Sequence, residues 1–326
     1  MGWWYTCVRF FDTRELEMQM KRLKIAVIIM VALAAWSPSA AADEIVGVRA
    51  LGMGGALRAA PTGSAAVLLN PAGMSLTRTY VVEGDYEYRV RRDGHAAHVG
   101  VVDSITSKVV AAGLYYNFFY SRPEVFEPTM QKKIKLAKQG HQAGLAISVP
   151  LGSHLILGAN GRYQYFKTVS QRRDPDTGER QDYTVETINT AGIDVGAIAR
   201  ITDYLNLAVV GTNLIPTDSM EAPLQLATGV AFRYGKYLLA DVDVVLDFEV
   251  PERKKMVNVH GGVEGFFADH FAVRAGTLYR SYWDAVYVSG GFGYLNPKVA
   301  VEAAFSQQVQ GGIETQFGFS LRVFFN

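Results

Sequence analysis

Cysteine is almost absent from the chain, since Cys7 is the one cysteine among 326 residues. If Cys7 lies in a segment that is removed on export, the mature protein contains none. A disulfide framework needs paired cysteines, and a cysteine-based metal site needs several thiolate ligands. The composition therefore excludes a disulfide-stapled scaffold and a cysteine metal site.

A charge excess and a long apolar run are also lacking. The 32 basic and 31 acidic residues leave a formal net charge of +1, so no domain-scale basic surface indicates a nucleic-acid partner. Beyond residue 42, no run reaches the roughly 18 apolar residues that predict a membrane-spanning helix. A disordered chain is excluded as well, because 49% of the residues are hydrophobic.

The N-terminal region has the order of a secretory signal. Basic residues within 21–24 precede an apolar run at 25–36, and a stretch of small residues ends at Ala42. We predict a signal peptide at 1–42 that is cleaved after its last residue. A membrane-anchoring helix is the alternative, but it needs about 20 apolar residues. Residues 1–17 do not fit the signal, and we interpret them as an over-extended start.

The rest of the chain alternates with a period of two, which is the pattern of β-strands. The last segment shows this most clearly. One of its faces carries Ile313, Thr315, Phe317, Phe319, Leu321, Val323 and Phe325. The other face carries Glu314, Gln316, Gly318, Ser320, Arg322 and Phe324. Because a wholly apolar face needs an apolar medium, we predict that the first face contacts lipid and the second faces a lumen.

Fourteen such segments are predicted as strands, and an even number is typical of bacterial single-chain membrane barrels. They lie at 79–90, 95–103, 108–119, 138–149, 154–168, 184–199, 204–211, 223–234, 237–247, 256–267, 270–279, 285–294, 298–306 and 312–325. A soluble β-sandwich also has alternating strands. Its strands are commonly about 5–6 residues long, whereas a membrane strand needs about 9–11. We therefore predict an all-β fold, a transmembrane antiparallel β-barrel of about 14 strands at 79–326.

The connections between these strands support a membrane barrel. One alternating set is short and lies at 104–107, 150–153, 201–203, 235–236, 268–269 and 295–297. The other set contains the long, charged connections at 120–137, 169–183, 212–222 and 248–255. Short periplasmic turns opposite longer external loops are typical of outer-membrane barrels. This sorting places both chain ends on the side of the short turns.

Residues 43–78 precede the strands and do not alternate. They contain Arg49, a Gly-Met-Gly-Gly motif at 52–55 and an Asn-Pro-Ala-Gly motif at 70–73. This pattern resembles the FadL-type hydrophobic-compound channels, and it is closer still to their PorV-like relatives. The resemblance implies a plug at 43–78 inside a fourteen-stranded barrel, although relatives usually carry acidic residues where this chain has 61–64. The implied plug-motif residues are Arg49, Gly52, Met53, Gly54, Gly55, Asn70, Pro71, Ala72 and Gly73.

Polar residues on the inward faces are candidate partners of such a plug. We predict that the lumen is lined by Glu83, Asp85, Arg162, Asn258, Glu264, Arg274, Glu314 and Arg322. Buried plug backbone must find hydrogen-bond partners, and these side chains can supply them. We expect Arg49 to pair with one of the inward carboxylates, because an unpaired buried charge is costly.

Two functions fit a plugged barrel. The first is passage of a hydrophobic small molecule, such as a long-chain fatty acid, across the outer membrane of a Gram-negative bacterium. Such passage needs differential affinity of plug states and no catalysis. By parity, the apolar lumen candidates are Leu114, Phe118, Ile156, Phe266 and Phe324. The second function is a PorV-like one, in which the barrel binds a secreted or surface protein.

Motifs for chemistry are lacking. No Walker-type or dinucleotide motif occurs, and His95 and His98 fall on opposite faces of a strand rather than forming a metal pair. An enzymatic barrel is an open alternative, because a hydrolase triad is recognised by geometry and not by spacing. We predict that the protein is not an enzyme and binds no cofactor or metal. The expected partners are outer-membrane lipid and hydrophobic cargo, and the barrel is expected to close as a monomer.

Overall fold

The computed structural model describes most of the chain after the predicted signal peptide. The described residues are 45–127, 132–173, 180–217, 221–250 and 256–325. The signal-peptide prediction for 1–42 lies outside them. No helix in this part of the chain is long and apolar enough to cross a membrane.

The N-terminal segment forms three short helices. These are α1 (Val48–Gly52), α2 (Ser64–Leu69) and a 3-10 helix (Pro71–Ser75). Helix α2 ends at Asn70, which has extended backbone with φ −159° because the residue before a proline avoids the helical region. The Asn70 side chain then starts the 3-10 helix by accepting a 3.1 Å hydrogen bond from the Ala72 N–H.

Fifteen strands follow the helical segment. They are β1 (Tyr80–Arg89), β2 (Gly94–Asp103), β3 (Ala111–Ser121), β4 (Glu124–Glu127), β5 (Lys132–Leu151), β6 (Leu155–Arg173), β7 (Arg180–Arg200), β8 (Leu205–Thr212), β9 (Gln225–Tyr234), β10 (Leu238–Asp247), β11 (Val257–Phe267), β12 (Phe271–Arg280), β13 (Ala285–Leu295), β14 (Val299–Gln310) and β15 (Thr315–Phe325). Strand β4 is short and pairs with β5 beside the barrel, so fourteen strands build the barrel itself.

The barrel closes through two antiparallel ladders. Strand β1 pairs with β15, with Tyr80 opposite Phe325, and β3 pairs with β5, with Ala111 opposite Ser148. All other barrel strands pair with their chain neighbours, also antiparallel. Closure leaves no edge strand in the barrel wall, so the backbone donors and acceptors are satisfied within the sheet. The predicted fourteen-stranded antiparallel barrel is confirmed.

The two rims of the barrel differ. We call the rim that contains the β5–β6, β9–β10 and β11–β12 connections the turn end, and the opposite rim the loop end. Strands β5, β6 and β7 have 20, 19 and 21 residues and extend past their neighbours at the loop end. The predicted loops at 120–137 and 169–183 are therefore partly wrong. Much of each is strand, because their backbone groups pair with one another up to Lys135–Gln171 and Arg173–Arg180.

The outer surface is apolar around the whole barrel. Each barrel strand contributes an exposed large hydrophobic side chain, in order Tyr86, Val99, Leu114, Leu145, Tyr163, Ile193, Val209, Val230, Val242, Val263, Val273, Val288, Val301 and Phe319. The alternate residues of the strands point inward, where polar side chains such as Glu83, Glu87 and Arg322 are buried. The alternation predicted for the last strand is therefore present in the structure, and β1 alternates in the same way.

The N-terminal segment fills the lumen. Met53 and Leu57 are fully buried and pack with Ile156, Ile198 and Leu239 of the inner wall. Apolar contacts of this kind drive burial of the segment. We call residues 45–78 of the structure the plug.

Candidate functional site

The first seat of the plug is a pair of glycines in the barrel wall. Gly262 of β11 lies directly opposite Gly276 of β12 in the ladder. A Cβ atom at either position would overlap the backbone of Met53. The wall therefore lacks side chains where the Gly-Met-Gly-Gly motif approaches. Within that motif, Gly54 has a φ of 70°, a left-handed conformation that glycine adopts without strain.

Arg49 fixes this seat by a buried ion pair. Its Nε and Nη2 donate to the two carboxylate oxygens of Glu264, at 2.9 and 2.6 Å. Its Nη1 donates to the Thr62 hydroxyl of the plug at 2.7 Å. Burial alone would lower the pKa of Arg49, but the facing Glu264 carboxylate holds that pKa above its ordinary value. The geometry is bidentate, the arrangement in which an arginine–carboxylate pair is strongest.

The ion pair continues around the inner wall. Arg274 Nε donates to Glu264 at 2.5 Å, and Arg274 also bonds Glu302. Arg322 bonds the other oxygen of Glu302, and its Nε lies 3.8 Å from Glu83. Charges of alternating sign thus run across β11, β12, β14, β15 and β1. Each buried charge has an opposite neighbour, which offsets the cost of removing it from water.

The ring of charges returns to the plug at α2. Ser64 donates its backbone N–H to Glu83 at 2.6 Å, and its hydroxyl lies 2.9 Å from both Glu83 and Asp85. Arg49 and Ser64 are therefore the two plug ends of one network. We call this network, from Arg49 through the wall to Ser64, the charge ring.

The second seat of the plug also lies on a glycine pair. Gly158 of β6 is opposite Gly196 of β7. A Cβ atom at Gly158 would overlap the backbone of Pro71 and Ala72, and one at Gly196 would overlap the Asn70 side chain. The Asn-Pro-Ala-Gly motif therefore also rests against bare wall backbone.

Neutral hydrogen bonds hold most of this second seat. Asn70 Nδ2 donates to the Arg58 carbonyl at 2.8 Å, and Ser148 of β5 donates to the Ala72 carbonyl at 3.1 Å. Between the two seats, Asp243 of β10 accepts the backbone N–H groups of Leu57 and Arg58, both at 3.1 Å. The Arg58 guanidinium lies 3.2 Å from the same Asp243 oxygen.

An open pocket lies between the plug and the wall at the loop end. Its cavity volume is about 70 Å³, and it is lined by three arginines, Arg89, Arg92 and Arg280, beside apolar Leu51 and Leu278. We call it the loop-end arginine pocket. Arg89 lies 3.5 Å from Glu87, and Arg92 lies 3.3 Å from Glu314, so their charges are balanced.

Arg280 differs from the other two arginines of this pocket. Its guanidinium lies over the Tyr287 ring, 5.8 Å from the ring centroid. Within the described residues it has no carboxylate partner. The Ser289 hydroxyl, which lines the same pocket, is buried and has no hydrogen-bond partner among these residues. Among the described residues, the pocket therefore combines a cation and a hydroxyl that lack polar partners with an apolar wall.

The structure separates the eight predicted lumen residues into two groups. Five of them belong to the charge ring: Glu83, Asp85, Glu264, Arg274 and Arg322. The other three lie toward the loop end, where Arg162 bonds Asp194 and Asn213, Glu314 accepts from the Arg91 N–H, and Asn258 is half-buried on the inner face of β11.

Two of the apolar lumen candidates were assigned to the wrong face. Leu114 is 57% exposed on the outer surface, and Phe118 lies on the same face, against His141. Both faces of β3 are rich in apolar and aromatic residues, so alternation alone could not assign them. Asn117 and Tyr115 occupy the lumen side instead and bond His98 and Asn160. Ile156 is buried against the plug, and Phe324 packs against a second buried cluster.

Sequence reasoning missed several residues that hold the plug. Asp243 and Glu302 were not identified, although each lies on the polar face of an alternating strand. The glycine pairs were missed because their partners are distant in sequence and become neighbours only through strand register. Among the described residues, no cluster of histidine, cysteine and acidic side chains could hold a metal ion.

These features define a closed β-barrel whose lumen is filled by its own N-terminal segment. Solved structures share this fold. The Ralstonia pickettii toluene transporter TbuX has a TM-score of 0.66 and 10% identity, covering 90% of this chain and 99% of that chain. The CymD monoaromatic hydrocarbon channel has a TM-score of 0.63 and 13% identity, covering 87% of this chain and 98% of that chain. A Pseudomonas aeruginosa FadL homologue has a TM-score of 0.63 and 14% identity, covering 86% of this chain and 98% of that chain.

At these identities the likeness shows the fold alone. No protein-family profile matches the chain. No curated protein matches it in sequence. These three structures are described as a toluene transporter, a monoaromatic hydrocarbon channel and a FadL homologue, and none of the three is described as PorV-like.

Proposed function

We propose that this chain is an outer-membrane channel of a Gram-negative bacterium that passes hydrophobic small molecules. The observation that carries the proposal is the loop-end arginine pocket, an amphipathic pocket beside a plug that fills the lumen. A channel for apolar solutes needs such a pocket for capture and a closed lumen to stop water and ions. No catalytic step is required, since differential affinity of the plug states is enough.

The apolar outer surface supports placement in a membrane. Aromatic side chains occur toward both rims, with Tyr86 and Tyr163 nearer the loop end and Tyr204, Tyr234 and Tyr237 at the turn end. Aromatic girdles at both interfaces are typical of outer-membrane barrels. We propose that the loop end faces outward and the turn end faces the periplasm.

Membrane placement is tested on the outer face of β15. Replacing Phe319, which is 58% exposed, with Arg puts a charge against lipid and is expected to destabilise the folded barrel by about 2–4 kcal/mol near the bilayer midplane. Phe319→Leu is the matched control and should change little. The measurement is the free energy of unfolding in phospholipid vesicles. Equal stability of the two variants would contradict a lipid-facing position.

The cargo that fits the loop-end arginine pocket carries a negative charge at one end. Arg280 and the Ser289 hydroxyl offer a cation and a donor, while Leu51 and Leu278 offer apolar contact. A carboxylate on an alkyl chain matches this combination, because a charge-assisted hydrogen bond holds the head and apolar burial holds the tail. We therefore propose a long-chain fatty acid as cargo. TbuX and CymD, by contrast, are described as channels for toluene and monoaromatic hydrocarbons.

Binding of palmitate to the purified protein tests the cargo. Isothermal titration should show that Arg280→Gln weakens palmitate binding about ten-fold, the loss expected for one charge-assisted hydrogen bond. Binding of neutral hexadecanol should be unaffected by the same substitution. Arg78→Gln is the control, since Arg78 bonds the exposed carbonyls of Ile105 and Ser107 outside the pocket. Equal affinity for palmitate in all three proteins would contradict the assignment.

A second candidate function is docking of a secreted or surface protein, as in PorV-like barrels. Its support is the length of β7 beyond its ladder with β8. Strand β8 pairs with β7 from Val195 to Arg200, whereas β6 pairs with β7 as far as Arg180. Among the described residues, no strand pairs with residues 187–192 on the β8 side of β7, and such a stretch of sheet edge can accept a strand from a partner. Thr187→Pro would block strand addition, so an unchanged affinity for a candidate partner would contradict docking at this edge.

The export signal is part of the same proposal. We propose that residues 1–42 are removed on export, that 43–78 act as plug and that 79–326 form the barrel. Mass spectrometry of the protein from outer membranes should give an N-terminus at Asp43. A mature N-terminus elsewhere would move the boundary, and retention of residues 25–36 would contradict cleavage.

A further inference from the structure

A second open pocket lies at the turn end, on the other side of the plug. Its cavity volume is about 150 Å³, and it lies between the plug and strands β9 to β11, β13 and β15. Four cationic side chains reach it, from Arg49 of the plug and from Arg233, Lys236 and Arg322 of the wall. We call it the turn-end arginine pocket. Arg49, Glu264 and Arg322 were predicted as plug or lumen residues, but Arg233 and Lys236 were not.

Three of these four cations already have carboxylate partners. Arg49 pairs with Glu264, Arg322 with Glu302, and Lys236 with Asp269 at the exposed rim. Arg233 is the exception. Within the described residues its side chain has no hydrogen-bond or ion-pair partner, and it lies on the inward face of β9 opposite Leu239. Arg233 is therefore the cation in this pocket that is open to an external anion.

The floor of the pocket is apolar. Leu239 is 3% exposed, and Phe266 and Leu295 line the pocket beside it. A free guanidinium next to an apolar floor suits a ligand with an anionic head and a hydrocarbon portion. A fully hydrated inorganic anion would gain nothing from the floor, and a neutral hydrocarbon would gain nothing from Arg233.

The plug separates this pocket from its counterpart at the loop end. Helix α1 contributes Arg49 to the turn-end arginine pocket and Leu51 to the loop-end arginine pocket, so the two pockets lie on either side of a single helix. Counting partners among the described residues, each pocket contains one arginine without a carboxylate partner, Arg233 or Arg280, and each has an apolar wall. The same chemical class of ligand fits both.

We propose that the turn-end arginine pocket is a release site that binds the carboxylate head of an amphipathic cargo through Arg233. The inference rests on the proposed channel function and adds a second binding station to it. A cargo that leaves the loop-end arginine pocket and passes the plug contacts an arginine and an apolar wall again in the turn-end arginine pocket. Its tail exchanges one apolar surface for another, and its head exchanges Arg280 for Arg233.

The test uses a photoreactive octanoate, with a diazirine on its alkyl chain, and maps the labelled peptides of the full-length protein in lipid nanodiscs. Octanoate carries the same carboxylate head as palmitate on a shorter alkyl chain. In the unmodified protein, label is expected on peptides that carry Phe266 or Leu295 and on peptides that carry Leu278. Arg233→Gln should reduce the turn-end label about ten-fold, as expected for loss of one charge-assisted hydrogen bond, and leave the loop-end label unchanged.

Two further variants complete the design. Arg280→Gln should reduce the loop-end label and leave the turn-end label unchanged. Arg233→Lys keeps the charge and should retain much of the turn-end label, so it serves as the test if Arg233→Gln folds poorly. Competition by octanol as strong as that by octanoate would overturn the proposal, because the charge would then be irrelevant. Stronger competition by hexaglutamate would also overturn it, since the occupant would be an acidic protein segment.

The outcomes also separate this inference from the channel proposal. Label at the loop end alone would overturn the release site and leave the channel standing. Label at neither pocket would count against both. Turn-end label that survives Arg233→Gln unchanged would show that Arg233 does not hold the head, and would overturn the proposal directly.

Discussion

The two seats bring the plug close to the wall in the same way but hold it by different interactions. Both lie on a pair of glycines that face each other across neighbouring strands, Gly262 with Gly276 and Gly158 with Gly196. The first seat is fixed by the charge ring that starts at Arg49, and the second by neutral hydrogen bonds around Asn70. The glycines determine how near the plug lies to the wall, and the polar groups determine how strongly it is held there.

The two seats are expected to contribute differently to how strongly the plug is held. An intact buried ion pair contributes little net stability, because the cost of removing both charges from water offsets their attraction. Removing one partner leaves an uncompensated buried charge, which is strongly destabilising. A neutral hydrogen bond costs less to lose. We therefore expect the charged seat to tolerate substitution less well than the neutral one.

The largest effect is expected at Glu264. Glu264→Gln leaves Arg49 and Arg274 buried without a balancing charge at that position, and should lower the free energy of unfolding by about 3–5 kcal/mol. The matched control is Glu124→Gln, whose partner Lys135 is exposed, and it should cost no more than about 1 kcal/mol. Urea unfolding in vesicles measures both. Similar losses in the two variants would remove the distinction between the seats.

Intermediate effects are expected at the glycine pairs. Gly262→Val and Gly158→Val insert side chains into the plug backbone, and overpacking of this kind costs about 1–3 kcal/mol. The controls lie on the same strands, since a Cβ at Gly261 or Gly161 would meet nothing within 4 Å. If the glycines set the approach of the plug, Val is harmful at 262 and 158 and tolerated at 261 and 161. Equal unfolding energies within each matched pair would refute close contact at that seat.

The smallest effect is expected at Asn70. Asn70→Ala removes the hydrogen bonds to Arg58 and Ala72, at a cost of about 1–2 kcal/mol. The loss should be smaller than that of Glu264→Gln in the same unfolding assay. A larger loss would mean that the neutral seat, rather than the charge ring, holds the plug.

Much of the fold could be predicted from the sequence. Alternation identifies all fourteen barrel strands, because one face of each meets an apolar surround and the other a polar lumen. The lengths of β5 to β7 could not be predicted. Their residues beyond the loop-end rim pair with one another outside the membrane, where no apolar face is required, so the sequence there need not alternate.

The candidate site was harder to predict. Strand parity shows that Glu264 and Glu83 point inward, but the order of charges around the wall depends on strand register. The seats at Gly262 and Gly158 depend on register in the same way. Arg233 could not be identified from the sequence, because it lies one residue before the end of β9, near a turn where an exposed arginine is common.

We infer that the plug closes the lumen. The conductance of single barrels in a planar bilayer tests this closure most directly. Deleting residues 43–73 removes the plug segments that occupy both seats and the Arg49 and Ser64 ends of the charge ring. Folding of the variant is checked by gel mobility with and without heating. The full chain is expected to conduct few or no ions, and the deletion variant to form a stable, water-filled pore. Equal conductance of two folded proteins would contradict the account, because the plug would then not be what closes the barrel.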